Sequence, residues 1–171
     1  MSRRDRRSTS KLVGFVAIMC ALANVLGFFT LPLGIAKIHL MQLPIILTGL
    51  ALGAGAGGLV GLVGAAVMAF RLSPPNPYIL AGNAILGFMT GVFYSHLKSI
   101  RGRPVVPQLI SVVAAYLVQA PYVYVTDAFL MSIPSSVVLT VILPKLLVED
   151  VVSALLAHLI LFRLDLTQLL E

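Results

Sequence analysis

The sequence is poor in charge, and above all in acid. Its 171 residues carry six Asp and Glu against twelve Lys and Arg, and charged residues make up 11% of the chain, against about 25% in an ordinary soluble domain. That scarcity excludes a chain that surrounds itself with a solvated polar surface. Cysteine is nearly missing: Cys20 stands alone in an apolar run, so no internal disulfide can form, and the residue reads as a small packing group. The short motifs of nucleotide and hydrolytic chemistry are lacking too. There is no GxxxxGK[ST], HExxH, CxxC or GxSxG, so neither ATP hydrolysis by a phosphate-cradling loop nor a familiar hydrolase site is expected in this chain. His39, His96 and His158 are far apart in sequence and read as loop or packing histidines. No metal, cofactor or catalytic residue is predicted.

What the chain has instead is apolar length. Hydrophobic residues make up 59% and mean hydropathy is +1.03. The apolar runs are long, with short polar breaks between them, the pattern of membrane spans. Lipid cannot satisfy free backbone N–H and C=O groups, so a span must be a helix or a closed barrel. No strict apolar–polar alternation of the barrel kind is present. The prediction is an all-α integral membrane protein of six transmembrane helices. The spans are placed at about Leu12–Leu31, Leu40–Gly53, Leu59–Leu72, Tyr78–Leu97, Val106–Asp127 and Val138–Leu161. They form a single transmembrane domain over 1–171: a basic tail over 1–11, the bundle over 12–164 and a short tail over 165–171. No cleaved leader is read at the start, because the first apolar run lacks a small-residue cleavage site.

Charge chooses between five spans and six. Spans two and three are short for an apolar layer of about 30 Å, so Leu40 to Leu72 could be one long helix. With six spans and both termini cytoplasmic, Arg3, Arg4, Arg6, Arg7, Lys11, Lys98, Arg101, Arg103 and Arg163 lie inside, and Lys37 and Arg71 outside. That bias of nine to two obeys the positive-inside rule. Five spans would move Lys98, Arg101 and Arg103 outside. The turn between spans two and three is expected in the weak helical stretch from Gly53 to Gly58. The positive net charge is thus accounted for by membrane topology, and no nucleic-acid partner is expected.

Two features point to binding. Small residues recur at four-residue spacing: Ala17 and Ala21, with Gly14 nearby, on span one, and Gly49, Gly53, Gly57 and Gly61 further on. This spacing lets helices approach closely in lipid, either within the bundle or against another membrane protein. Polar side chains also gather toward the outer ends of the spans: Gln42, Asn83, Tyr122, Tyr124, Asp127 and Lys145, with Asn24 and Gln119 nearer the middle. Lys145 and Glu149 are four residues apart and share a helix face. Pro121 and Pro144 can open space at that side. Ionisable groups in spans are costly, and they usually face a bundle interior or a water-filled path. Such a set either bridges helices or orients a small ligand in an apolar pocket. Groups of both charge signs suit a zwitterionic or mixed polar ligand.

The order of features resembles one family, the substrate-binding S components of energy-coupling factor (ECF) vitamin transporters. Val16 to Leu26 resembles its N-terminal helix, with the paired Ala17 and Ala21. Gln42 to Gly53 and Ala56 to Gly64 resemble its pattern of proline, apolar run, "LG" and a glycine-rich restart. Gly82 to Gly91 resembles its fourth helix. The likeness runs over nearly the whole chain, although Leu52-Gly53-Ala54 departs from the commoner "LGP". No Trp is available to stack on a vitamin ring, a part that Phe or Tyr would take.

The resemblance implies a subunit that captures a vitamin or related micronutrient from outside a prokaryotic plasma membrane. The subunit then docks on a transmembrane coupling protein with two ATPase subunits. Ala17 and Ala21 would be the docking residues. Asn24, Gln42, Asn83, Gln119, Tyr122, Asp127, Lys145 and Glu149 would be the ligand-site candidates. The loops Leu33 to His39 and Ser73 to Tyr78 would gate the pocket. B vitamins, pyrimidine or thiazole precursors, queuosine precursors and metal ions all remain open as ligands, a metal being the least suited. The competing reading is a self-contained channel or secondary transporter acting as a homo-oligomer and coupled to an ion through Asp127, Glu149 or Asp150. A membrane enzyme fits poorly, since adjacent Glu149 and Asp150 point about 100° apart on a helix.

Overall fold

A computed structural model of the chain describes residues 3–33, 36–98 and 105–164, without the side chains of 3–9, 31–33, 36–37 and 162–164. The basic residues Arg101 and Arg103, and the middle of the first loop at Gly34 and Ile35, lie outside the described residues. Helix α1 spans Arg3–Phe28 and is followed by a hairpin of two three-residue strands, β1 (Leu31–Leu33) and β2 (Ala36–Ile38). The hairpin is antiparallel, with Leu31 opposite Ile38 and Leu33 opposite Ala36. Then come α2 (Gln42–Leu52), α3 (Ala54–Gly64), α4 (Ala66–Arg71) and α5 (Tyr78–Leu97). Helix α6 (Val105–Val125) runs through Pro121 into a π-helical turn, Thr126–Leu130. A short α7 (Ser135–Val137) and a second π turn (Val138–Ile142) lead into α8 (Leu143–Leu164). Among the described residues these elements form six helical rods. The hairpin occupies most of the loop between the first two rods, which the sequence marked only as a gating loop over Leu33 to His39.

Among the described residues, four stretches are long and apolar enough to cross a membrane: Ser10–Phe28, Ala54–Arg71, Tyr78–Leu97 and Val105–Leu130. Helix α2 is apolar but has only 11 residues, about 16 Å at 1.5 Å per residue. It is short because the protein, and not lipid, surrounds it. Eight of its residues, from Gln42 to Leu50, are buried, and irregular or short backbone is tolerated at membrane depth where protein covers it. Helix α8 carries Lys145, Glu149, Asp150 and His158 along a largely apolar length.

The turn between α2 and α3 is tighter than the sequence suggested. Gly53 alone makes it, at φ +87, a backbone region where a side chain is strained. Gly55 to Gly58, expected as the weak turn, are helical. Their reason for being glycine is proximity. A Cβ on Gly57 would lie 2.7 Å from the Gly49 Cα, and one on Gly91 would lie 2.5 Å from the Gly53 carbonyl carbon. The glycines at 49, 57 and 61 therefore serve contacts of α2 and α3 with each other and with α5, as in other small-residue helix crossings. That answers, for this stripe, whether it packs the bundle or docks a partner.

Helix α1 is different. Only 11% of its apolar window is buried. Its inner face, with Ala23 and Gly27, meets α3 and Met41. Ala17 and Ala21 lie on the exposed face beside Val13, Ile18 and Val25. The core proper lies between α2, α5, α6 and α8, around Ile46, Leu86, Val112, Ala115 and Ala154.

Candidate functional site

Successive rods run in opposite directions, so alternate element ends meet at one end of the bundle. There the residues before and at the start of α2, the start of α5, the end of α6 with its π turn, the start of α8, and the end of α4 with its following loop enclose a cavity of about 250 Å³. That is near the low end for small-molecule pockets, roughly 300–1,000 Å³. Among the described residues, none from α1 lines it. The wall is apolar at Met41, Met68, Leu72, Ile79, Ile133 and Ile142, and it carries two phenol rings, Tyr78 and Tyr122.

Six of the eight ligand-site candidates named from sequence line this cavity: Gln42, Asn83, Gln119, Tyr122, Asp127 and Lys145. The three amides share one geometry. Gln42 Nε2 donates to Glu149 Oε2 (3.3 Å), Asn83 Nδ2 donates to the Ile79 carbonyl (2.9 Å), and Gln119 Nε2 donates to the Gly82 carbonyl (3.0 Å). These acceptors fix which end of each amide is nitrogen. The carbonyl oxygens of Gln42, Asn83 and Gln119 have no hydrogen-bond partner among the described residues, and all three side chains are buried. A buried acceptor left unpaired costs about 1–3 kcal/mol. Three residues that line the cavity thus each carry a buried, unpaired acceptor.

Charge is arranged around them. Tyr122 donates to the Tyr78 carbonyl (3.2 Å), which ties α6 to the start of α5. Asp127, in the π turn after α6, accepts from Asn76 Nδ2 (3.1 Å). Asn76 in turn accepts the Tyr78 N–H on its Oδ1 (3.1 Å), so the loop after α4 is clamped to the cavity rim. The π turn itself is what aims Thr126 and Asp127 inward, a common use of this irregularity. Lys145 is 21% exposed and reaches Glu149 Oε1 at 3.5 Å, so the pair expected from their spacing forms.

Glu149 and Asn24 stand apart from the cavity wall. Glu149 is fully buried beneath it and accepts the His39 N–H (2.8 Å) and Gln42 Nε2. Asn24 lies at the junction of α1 with α3 and α4. Its Nδ2 donates to the Val63 carbonyl (3.0 Å) and its Oδ1 accepts the Val67 N–H (2.8 Å). Val63 and Val67 flank the break at Ala65 between α3 and α4, and one amide bridges both groups. Asn24→Ala is expected to cost about 2 kcal/mol, for two backbone groups left without their bridge. A lower thermal midpoint with ligand affinity unchanged checks this. Lost affinity at full stability would place Asn24 in the site instead.

Four polar lining residues were not named as ligand-site candidates: His39, Asn76, Tyr78 and Thr126, the first three of which fall in the loops expected to gate the pocket. Asn76 had a signal, a lone amide between prolines at Pro75 and Pro77. His39 had none beyond its place just before a span. Tyr124 turns away and meets the Phe129 ring edge-on at 6.1 Å. Among the described residues no cluster of three or more His, Cys, Asp or Glu could hold a metal.

Comparison with known proteins places this architecture. A solved structure of the S component of a bacterial ECF transporter matches with a TM-score of 0.61 and 17% identity, over 95% of this chain and 99% of the other. The S component for biotin from an ECF-type ABC transporter matches with a TM-score of 0.61 and 20% identity, over 92% of each chain. At such identities the likeness establishes the fold. No curated protein matches the chain in sequence. The family model for the ECF-type riboflavin transporter S component matches residues 7–166. With nearly the whole chain matched, this membrane protein belongs to the family of ECF-type riboflavin transporter S components.

Proposed function

We propose that this chain is the substrate-binding subunit of an ATP-driven importer in a prokaryotic plasma membrane. Its cavity takes riboflavin or a close relative from outside, and a coupling protein with two ATPase subunits receives the ligand after docking. The observation that carries the ligand class is the set of three cavity amides whose nitrogens are committed to the protein and whose oxygens are not. Such a wall suits a ligand rich in donors. Riboflavin offers an imide N–H and several hydroxyls, with ring carbonyls for the Lys145 ammonium. Tyr78 and Tyr122 offer ring faces for its tricycle, and Met41 and Met68 offer polarisable sulfur. The family match supports the same vitamin. The fold by itself is neutral on this point, since a biotin-binding S component shares it.

The test is a fluorescence titration of riboflavin with the purified chain. Saturable quenching at one site is expected. Lys145→Ala is expected to weaken binding at least about tenfold, or about 1.4 kcal/mol. Unchanged affinity in that variant would reduce Lys145 to a structural partner of Glu149. No quenching, with calorimetric binding of biotin instead, would move the chain to another vitamin. Failure of both, in a protein that purifies as a clean homo-oligomer, would favour the self-contained channel or carrier.

A further inference from the structure

One carboxylate oxygen beneath the cavity faces two groups able to carry positive charge. Glu149 Oε1 accepts the His39 backbone N–H at 2.8 Å. The same oxygen lies 3.5 Å from Lys145 Nζ and 3.7 Å from His39 Nδ1. His39 is buried, and its Nδ1 has no hydrogen-bond partner among the described residues. The ammonium therefore serves as the counter-ion. The imidazole stays neutral: burial first, and the Lys145 charge second, push His39 down to about 4.

The arrangement holds only while Lys145 stays with Glu149. At 3.5 Å the contact is long for a charge-assisted hydrogen bond, and Lys145 also lines the cavity. A ligand carbonyl that draws the ammonium upward takes from Glu149 its nearest cation. It also takes from His39 the neighbour that opposes protonation. A buried carboxylate without a counter-charge is strongly disfavoured, and the imidazole beside it can supply that charge with almost no movement.

We propose that Lys145 and His39 alternate as counter-ion to Glu149, so that ligand engagement of Lys145 is linked to uptake of one proton by His39 from bulk solvent. This rests on the reading that Lys145 contacts the ligand. The other ionisable groups around His39 do not oppose the exchange. Asp150 is the next residue on α8, and Asp127 stands in the cavity wall after α6. Tyr78 of α5 and Tyr122 of α6 also line the cavity. Lys37 precedes His39 on β2, and its side chain lies outside the described residues. His39 joins the hairpin to α2, so the exchange takes place at the start of that helix.

The sign follows from linkage. A site that takes up a proton on binding holds its ligand more tightly as pH falls, by up to about tenfold per pH unit for one full proton. The window opens at the His39 value in the ligand-bound protein and closes near the unbound value of about 4. The experiment is isothermal calorimetry of riboflavin binding to the full chain at about pH 6, in two buffers of different ionisation heat. Uptake approaching one proton is expected, and His39→Gln is expected to abolish it. A second arm needs no ligand: in Lys145→Met the NMR titration of His39 should move upward from about 4, because the Lys145 charge is one of the two causes that lower it. Riboflavin binding without proton uptake, or an unmoved His39 titration in Lys145→Met, overturns the proposal. Absence of any riboflavin heat counts against the flavin reading, while the NMR arm still decides the exchange.

Discussion

Ala21→Trp is expected to cut uptake at least about 100-fold, a loss of about 2.7 kcal/mol, while ligand affinity stays within about twofold of the parent. The argument has two halves. Among the described residues no α1 side chain lines the cavity, so an indole at position 21 stands away from the ligand. Ala17 and Ala21, meanwhile, lie on the exposed face of α1, and 11% of the helix's apolar window is buried. A small-residue face gains its value by letting another helix come close, and one bulky ring holds the partner away. Ala17→Trp should behave in the same way. Uptake in membrane vesicles and binding to the purified variant are measured together. Lost binding in a folded variant would assign these residues to the ligand path, and unimpaired uptake would place docking on another face.

Gly61→Ala is the second large expectation, and it acts on the fold. A Cβ there would fall on the Asn83 carbonyl oxygen, 2.5 Å from that carbonyl's carbon and 2.8 Å from the Ala84 nitrogen. These are backbone atoms of α5, so no side chain can step aside and the two helices must separate. Overpacking of this kind costs about 3 kcal/mol. Separation also displaces Asn83, a cavity amide, so affinity should fall with stability. Gly55→Ala is the control. Nothing lies within 4 Å of its Cβ, and alanine in a helix interior should be better than glycine by about 1 kcal/mol. Equal thermal midpoints for the two variants would contradict the close α3–α5 approach.

The bundle was legible because its signals are long. Apolar runs give the rods, and the run of Gln42 with the glycines after Gly53 marks α2 turning back into α3. Two local features were not. The hairpin at Leu31–Leu33 and Ala36–Ile38 is too short to have a periodicity. The break at Ala65 is held by Asn24, 41 positions earlier, and only the folded chain brings the two together. The site was legible in part. Rare polar residues in apolar spans are conspicuous, which is how Gln42, Asn83, Gln119 and Lys145 were found. The sequence could not say which of them face the cavity. Glu149 and Lys145 sit four residues apart on one helix, yet one is fully buried beneath the wall and the other lines it. His39 and Asn76 were noticed only as members of the expected gating loops, because a single polar side chain in a loop does not stand out from its polar neighbours.

The cavity amides have a consequence for how this site could change over generations. Each of Gln42, Asn83 and Gln119 faces two ways. Its nitrogen fastens helix to helix, or a helix turn to itself, and its oxygen is unpaired among the described residues; in the proposed reading that oxygen meets the ligand. Replacing one to welcome a different molecule also loosens a fastening. Asn83→Asp or Gln119→Glu would keep the shape, but would set a carboxylate against the carbonyl that the amide nitrogen now contacts. New preferences should therefore arise first at the cavity's apolar and aromatic positions, such as Met68, Ile79 and Ile142, with the amides held fixed. Within this lineage a change of diet would be written in the shape of the wall before its polarity.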